Sequence, residues 1–201
     1  MPAVMVSLTY DKNLISPLDS ILNFGARPAS YLFIAMLGFY ILLLVLDVNP
    51  WLAIVGAVGY AFSTYFFIIV GAGHNAKLHA ITYMAPMVAG VLLAYKGKYI
   101  AGAGLFALSL ALSLATGHIQ ITYYTFFILL AVAIWRLVEL VRAKQLRTFV
   151  VASAFLVLAG VLGVGANFNR LYQTYDYGKA SIRGKSYLAA TAEQKDEGLD
   201  K

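Results

Sequence analysis

The 201-residue chain is 61% hydrophobic and only 12% charged, with a mean hydropathy of +0.78 and a net charge of +6. About a quarter of the residues in a soluble domain are charged, and a domain of this length could not hide so much apolar surface from water. Cysteine is absent, which excludes disulfides, thiolate nucleophiles and thiolate metal sites. The basic residues flank apolar segments, so the positive charge indicates membrane topology rather than a nucleic-acid partner. A haem partner is not expected either.

Six apolar segments follow one another along the chain. They fall at residues 31–46, 51–70, 81–95, 99–116, 119–138 and 148–166. Lipid offers no partner to a free backbone group, so spans are helices or closed barrels, and the alternating pattern of barrel strands is not seen here. A helix needs about 20 residues to cross a core of ~30 Å, so we expect the short third segment to extend into the preceding loop. The sequence predicts an all-α integral membrane protein with six transmembrane helices.

The regions on either side of the spans are more polar. Residues 1–30 form an outer-face lead-in, in which Ser16, Pro17 and Asp19 have the features of a helix start. A short interfacial helix is predicted there, with a plain polar lead-in as the alternative. Residues 31–166 form the six-helix region, and residues 167–201 form a polar outer segment that begins an incomplete extracytoplasmic region. Both ends resemble cut edges, so we expect the chain to be part of a larger membrane protein.

The positive charges of the short loops predict the orientation. The loops on one side carry six basic residues (Lys96, Lys98, Arg136, Arg142, Lys144 and Arg147), whereas those on the other side carry only Lys77. Loops rich in Lys and Arg stay in the cytoplasm, so both termini are predicted outside a bacterial cytoplasmic membrane that the chain crosses several times. The basic residues of the two tails count in the opposite direction and reduce this difference.

Turn and packing signals lie between and within the segments. Pro50 suits the first turn of the second helix, and Tyr95 and Tyr99 flank a tight hairpin where they fit an interfacial aromatic belt. Small residues recur four apart at Ala103, Ala107, Ala111 and Ala115. Such a stripe lets two helix backbones approach closely inside a membrane bundle.

All three histidines fall on the predicted outer face, together with amides, tyrosines and the basic tail. The predicted substrate-binding cluster comprises His74, Asn75, Lys77, His79, His118, Gln120, Tyr123, Arg170, Asp176, Lys179, Arg183 and Lys185. Arg and Lys beside a polar pocket at a membrane surface suit a lipid phosphate or pyrophosphate. Each member also has a structural interpretation, such as a helix cap or a hydrogen bond between helices.

Two further kinds of site are not predicted. His74 and His79 are five residues apart rather than the four of a helical metal pair, so no metal site is assigned. The HExxH and GxSxG motifs and phosphate-cradling glycine loops are absent from the sequence, so the catalytic residue is unknown.

Three separated motifs, at residues 73–77 (GHNAK), 116–124 (TGHIQITYY) and 175–186 (YDYGKASIRGKS), resemble the YfhO family of bacterial membrane proteins in its Bacteroidetes form. The resemblance covers nearly the whole chain. YfhO proteins are similar to GT-C glycosyltransferases, which move a sugar from a polyprenyl-phosphate donor to an acceptor outside the cytoplasmic membrane. The resemblance therefore implies a lipid-linked sugar as partner and places His74, His118 and Arg183 near the site.

The resemblance also implies what this chain lacks. Met1 corresponds to a point inside the family's first outer loop, so the acidic residue expected to act as base or metal ligand would lie upstream. Any divalent metal ion would then depend on residues outside this chain, and the chain alone is not expected to be a competent enzyme. Two alternatives stay open: a transporter or flippase for a lipid-linked or anionic solute, and a non-catalytic membrane remnant. The sugar, the acceptor and the oligomeric state do not follow from the sequence.

Overall fold

The structure is a computed structural model that describes residues 28–180 of the chain. The described residues contain nine helices and no strand, as the sequence predicted for an all-α protein. The helices are α1 (Ala29–Val45), α2 (Pro50–Ala61), α3 (Thr64–Gly71), α4 (Asn75–Thr82), α5 (Met84–Tyr95), α6 (Tyr99–Ala115), α7 (Ile119–Arg142), α8 (Leu146–Gly165) and α9 (Phe168–Ala180).

Four helical stretches are long and apolar enough to cross a membrane by themselves. They are Pro50–Gly71, Asn75–Tyr95, Ile119–Arg142 and Leu146–Gly165. The third predicted segment does extend into its preceding loop, because the stretch that contains it begins at Asn75 and has 21 residues. The other two apolar segments, α1 and α6, are helices of 17 residues each. These lengths and compositions are those of a multi-pass membrane protein.

Two of the long stretches are interrupted, although the sequence predicted each as one helix. Between α2 and α3, Ser63 adopts an extended conformation with φ −64° and ψ 145°. Between α4 and α5, Tyr83 separates the helices three residues before Pro86. A proline has no N–H to donate to the preceding turn, so the second interruption follows from the sequence. The interruption at Ser63 has no proline near it that would have predicted it from the sequence.

The stretch formed by α4 and α5 lies at the centre of the bundle. In its apolar 18-residue window 83% of the residues are buried. The corresponding shares in α7 and α8 are 22% and 17%, and these two helices expose most of their apolar side chains. Helix α5 packs against α1, α6, α7 and α8. In water such exposure would be unfavourable, but in lipid an apolar outer surface is the stable arrangement. The outward-facing helices therefore match a lipid environment.

Glycines set the closest helix contacts. A methyl group built on Gly90 of α5 would lie 2.7 Å from the amide nitrogen of Phe106 and 2.9 Å from the carbonyl oxygen of Gly102 in α6. One built on Gly38 of α1 would lie 2.7 Å from Cδ of Pro86 in α5. Real side-chain carbons do not approach so closely, so both contacts require the absence of a side chain. Close backbone approach of this kind stabilises helix pairs in membranes.

The alanine stripe of α6 packs against α8. A methyl group on Gly163 of α8 would lie 3.1 Å from the carbonyl oxygen of Ala107. Nδ2 of Asn167, just beyond α8, donates a hydrogen bond of 2.9 Å to the carbonyl oxygen of Ala111. The stripe thus forms a helix seam, as predicted. Asn167, which the sequence assigned to the outer segment, is buried with the bundle.

Successive turns lie at alternate ends of the bundle. At the end that we call the basic end, Lys96 forms an ion pair with Asp47, and Nη2 of Arg136 donates a hydrogen bond of 3.1 Å to the carbonyl oxygen of Tyr95. The turns at residues 46–49, 96–98 and 143–145 therefore lie together. The opposite end, which we call the histidine end, carries the start of α1 and the turns at residues 72–74 and 116–118.

The turns use left-handed residues where the chain reverses. Gly73, Gly97 and Gly117 have φ between 75° and 88°, and Asp47 and Lys144 have φ of 60° and 57°. A left-handed residue after a helix lets the next amides bond to the last helical carbonyls. Three of the five positions are glycine, which reaches this conformation without a steric penalty. These bonds are what keep the connections tight.

The aromatic pair of the 95–99 hairpin differs from the prediction. Tyr95 is only 4% exposed, stacks on Phe149 at 5.0 Å and forms a hydrogen bond of 3.2 Å with Ser153. It therefore packs between helices rather than in an interfacial belt. Tyr99 is partly exposed and stacks on Phe155.

Helix α9, which begins at Phe168, belongs to a second compact unit. It is a single helix in which Phe168 stacks on Tyr172, and Oγ1 of Thr174 donates to the carbonyl oxygen of Arg170. The predicted interfacial helix of the lead-in and the region after α9, residues 181–201, lie outside the described residues.

The glycine contact between α5 and α6 gives a test of the bundle. Substituting Gly102→Ala places a methyl group 2.6 Å from the Gly90 carbonyl oxygen, so we expect the free energy of unfolding to fall by about 1–3 kcal/mol. Gly104 lies in the same helix with open space around it, so Gly104→Ala should be neutral or raise stability by up to ~1 kcal/mol. Thermal unfolding of both variants in detergent measures the difference. Equal losses would contradict the packing.

Candidate functional site at the histidine end

Two histidines occupy equivalent positions, each directly before the first residue of a helix. His74 precedes α4 and His118 precedes α7, and neither side chain forms a capping hydrogen bond. The capping role that could have explained them is therefore not observed. His74 is exposed, while His118 is partly buried and its Nδ1 is enclosed without a hydrogen-bond partner in the described part of the chain. A buried ring nitrogen of this kind has a hydrogen bond to offer to a water or a bound group.

The third histidine is part of the bundle interior. His79 is 5% exposed, stacks on Tyr31 with ring centroids 4.4 Å apart, and its Nε2 lies 3.1 Å from the hydroxyl oxygen of Tyr83. It thereby joins α1 to α4 just before the interruption at Tyr83. Asn75 lies one helical turn before His79 in α4 and is exposed, whereas His79 is buried, so the two side chains do not form a common surface. His79 has a packing role.

Apolar contacts bring the histidine-end elements together. Ile121 in the first turn of α7 belongs to a buried cluster with Leu78 and Ile81 of α4 and with Phe66 of α3. This packing holds the start of α7 beside α4. Leu78, which follows His74 by four residues, and Ile121, which follows His118 by three, therefore belong to one cluster. The turns that carry the two histidines lie at the same end of the bundle.

The remaining predicted residues of this end contact near neighbours. Nζ of Lys77 lies 5.8 Å from the ring centroid of Tyr65, a cation–π contact between α4 and α3. Nε2 of Gln120 donates a hydrogen bond of 2.7 Å to the hydroxyl of Tyr124 one turn later. Tyr123 points outward and packs edge-on against Phe127. These contacts lie along the surface rather than across one enclosed pocket.

A set of buried hydroxyls beneath the histidine end was missed in the sequence. Oγ of Ser113 in α6 and Oγ1 of Thr122 in α7 are 2.7 Å apart, and Thr125 donates to the carbonyl oxygen of Ile121. Ser113, Thr122 and Thr125 are almost fully buried. In an apolar bundle a buried hydroxyl needs a partner, and the alternation of Ser and Thr with apolar residues near the end of α6 and the start of α7 was the available signal.

The C-terminal members of the predicted cluster have a different status. Arg170, Asp176 and Lys179 lie in α9, and Asp176 is exposed. Helix α9 and the histidine end belong to different compact units, so the convergence of these three residues with the histidines stays a prediction. Arg183 and Lys185 lie outside the described residues.

The side chains described at the histidine end offer groups for binding and for proton transfer. Within residues 28–180, no group of three His, Cys, Asp or Glu side chains is placed to hold a metal ion. The described turns at this end contribute imidazoles, an amide, a lysine and tyrosine hydroxyls. Such groups donate hydrogen bonds to anions, and a neutral imidazole can also accept a proton.

The chain matches no protein-family model, and comparisons with curated proteins and with solved structures also found no match. The fold and composition define a class, the multi-pass helical membrane proteins. The resemblance to YfhO proteins stays a prediction that depends on the three motifs alone.

The structural role of His79 can be separated from the role of His74. His79→Ala removes a buried aromatic contact and a hydrogen bond, so we expect a loss of about 2–4 kcal/mol in the free energy of unfolding. His74→Ala removes an exposed side chain and should change stability by less than about 0.5 kcal/mol. Thermal unfolding in detergent compares them. A stable His79→Ala variant would show that the stack on Tyr31 contributes little.

Proposed function

We propose that this chain is the membrane-embedded part of a YfhO-type, GT-C-like glycosyltransferase. In this proposal it uses a polyprenyl-phosphate-linked sugar at the outer face of the bacterial cytoplasmic membrane. The observation that carries the proposal is the sorting of polar side chains between the two ends. The basic end holds six Lys and Arg residues in its turns and flanking helix ends, whereas the histidine end holds all three histidines.

The proposal includes six spans rather than four. Helices α1 and α6 have 17 residues each, which is the lower limit for crossing a bilayer. Each lies between turns at opposite ends of the bundle, and each packs along α5. An element that runs from one end of a spanning bundle to the other crosses the same layer. The positive charges then place the basic end in the cytoplasm and the histidine end outside.

The proposed chemistry is an inverting sugar transfer. A base removes the proton of the acceptor hydroxyl, the hydroxyl oxygen attacks the anomeric carbon, and the bond from that carbon to the lipid phosphate breaks. The electron pair of the broken bond stays on the phosphate, where cationic and hydrogen-bonding groups stabilise it. We assign His118 to the neighbourhood of the phosphate, with His74, Lys77 and Gln120 next to it, and the resemblance to YfhO proteins implies a role for Arg183 as well. The base is not assigned to a residue of this chain.

The enclosed Nδ1 of His118 supports this assignment, because it lacks a protein partner in the described residues. The ring lies at a turn, where a phosphate group at the membrane surface would be within reach. His79 is removed from the proposed site, since its ring is already engaged with Tyr31 and Tyr83. Among the three histidines of the predicted substrate-binding cluster, the proposed site therefore keeps His74 and His118 and leaves out His79.

A transporter is the second candidate, and one observation favours it. Transport sites are commonly built from helices broken within the membrane, and two of the stretches here are broken, at Ser63 and Tyr83. Such sites also hold ionisable residues near the midplane. The neighbouring segments, 60–70 and 80–90, contain no Asp, Glu, Lys or Arg, which favours the glycosyltransferase.

Cysteine labelling tests the six spans and their orientation, since the chain has no cysteine of its own. We expect Ala29→Cys, Ala76→Cys and Ile119→Cys to react with a membrane-impermeant maleimide on intact cells. Lys98→Cys and Gln145→Cys should react only after lysis. Reaction of positions 98 and 119 from the same side would show that α6 does not span, and reversal of the whole pattern would invert the orientation.

Sugar transfer tests the function. With the protein expressed from its full gene, we expect His118→Ala combined with Arg183→Ala to lower transfer from a radiolabelled polyprenyl-phosphate sugar by at least about tenfold. That is the loss expected when one or more charge-assisted hydrogen bonds are removed. Lys98→Gln, a charge change at the basic end, is the matched control and should leave transfer unchanged. Normal turnover in the double variant would exclude both residues, and solute flux into vesicles without sugar transfer would favour the transporter.

A further inference from the structure

An apolar groove opens to the membrane between α7 and α8. These two helices contact one another only sparingly and leave a space of about 360 Å³. Val91 of α5 and Phe106 of α6 form its floor, Leu129 and Ala133 line it from α7, and Val157 and Gly160 line it from α8. The groove lies away from His74 and His118, so it is a different site from the one proposed for the sugar donor.

The groove is shorter than one leaflet of the membrane. On α8 its lining runs from Ser153 to Gly160, and on α7 from Phe126 to Ala133. Each stretch rises about 10 Å, while half of a bilayer core is about 15 Å. Tyr95, near the end of α5 at the basic end, also lines it. On its two walls the groove lies near the middle of the helices, since Ala133 is nine residues before Arg142 and Ser153 is six residues after Arg147, and only Tyr95 extends its lining towards the basic end.

Positive charge lies at the basic end of the two helices, about 9–14 Å along their axes from the nearest lining residues of the groove, a distance that part of an acyl chain and a headgroup can span. The turn that joins its two walls, α7 and α8, carries Arg142, Lys144 and Arg147, all exposed. The basic end as a whole has six Lys and Arg residues against Asp47 and Glu139, which are paired with Lys96 and Arg136. A ligand that fits both features has an apolar chain and an anionic head.

One polar group joins the groove to the charged turn. Arg136 is one turn beyond Ala133, its side chain is only 12% exposed, and it donates hydrogen bonds to Glu139 at 2.6 Å and to the carbonyl oxygen of Tyr95 at 3.1 Å. Its Nε is enclosed without a partner in the described part of the chain. Arg136 thus places a positive charge between the groove and the charged turn, which adds to the attraction for an anionic headgroup at this end.

We propose that the groove between α7 and α8 binds an anionic phospholipid, with one acyl chain along Val157 and Gly160 and the phosphate beside the Arg142–Arg147 turn. Clusters of Lys and Arg at the cytoplasmic ends of membrane helices attract anionic headgroups. The lipid fills the space that the two helices leave between them and neutralises like charges in the turn. It is a structural ligand and takes no part in sugar transfer.

Native mass spectrometry of the delipidated full chain tests the proposal. Dioleoyl phosphatidylglycerol and dioleoyl phosphatidylcholine have the same acyl chains, so we expect the first to bind at least about tenfold more tightly. Gly160→Leu fills the groove, and its backbone accepts a side chain because the nearest atom to a new Cβ is a ring carbon of Phe106 at 3.8 Å. This variant should lose about tenfold in affinity for phosphatidylglycerol. Leu162→Phe, an exposed position of α8 outside the groove, is the control and should bind as the parent does.

A charge variant provides an independent measurement that does not depend on the groove. Arg142→Gln with Arg147→Gln changes exposed turn residues and should reduce binding of phosphatidylglycerol to the level of phosphatidylcholine. Equal affinities of the parent for both lipids, or no effect of Gly160→Leu, would mean surface lipid only and would overturn the proposal. A photo-cross-linking residue at Ala133 should capture lipid in phosphatidylglycerol vesicles. Capture of a second protein chain would instead show that a helix occupies the groove.

Discussion

The contact between Gly90 and Gly102 is the constraint on which the rest of the bundle depends. It brings α5 and α6 so close that even one methyl group would overlap backbone atoms. Because α5 also packs on α1, α7 and α8, its position fixes the other helices. In a membrane, burial of apolar area does not by itself drive helices together, so close packing and hydrogen bonds decide the arrangement. The contact between Gly163 and the α6 backbone also combines close packing with a hydrogen bond, which Asn167 donates to the carbonyl oxygen of Ala111.

The ends of the bundle follow from this arrangement. Tight turns with left-handed residues lie at alternate ends of the bundle, so the polar residues between helices collect in two layers. The layer at the basic end is built from ion pairs and exposed cations, and the layer at the histidine end from aromatic rings, imidazoles and hydroxyls. Two histidines of the same layer have different environments. His79 packs against Tyr31 and is buried in the bundle, whereas His74 is exposed.

The sequence predicted the helical class, the six apolar segments, the turn positions and the Ala103–Ala115 seam, because these depend on local composition. It did not predict the interruption at Ser63, the burial of Tyr95 or the packing role of His79. In a membrane helix the face towards lipid and the face towards protein are both apolar, so periodicity does not show which side is buried. Burial of Tyr95 depends on Phe149 and Ser153, which are more than fifty residues away in the chain. Such partners can be identified only once the helices are assembled.

The 17 residues of α1 and of α6 have a consequence for the surrounding membrane. A 17-residue helix is about 25 Å long, which is shorter than a typical hydrocarbon core of ~30 Å. Helices α7 and α8, with 24 and 20 residues, reach the full thickness. If α1 crosses the membrane as proposed, lipids beside it have to compress while those beside α7 do not, and the bilayer is then thinner on the flank of α1 than on that of α7. Local thinning of this kind lowers the work of bringing a polar headgroup towards the interior on that flank.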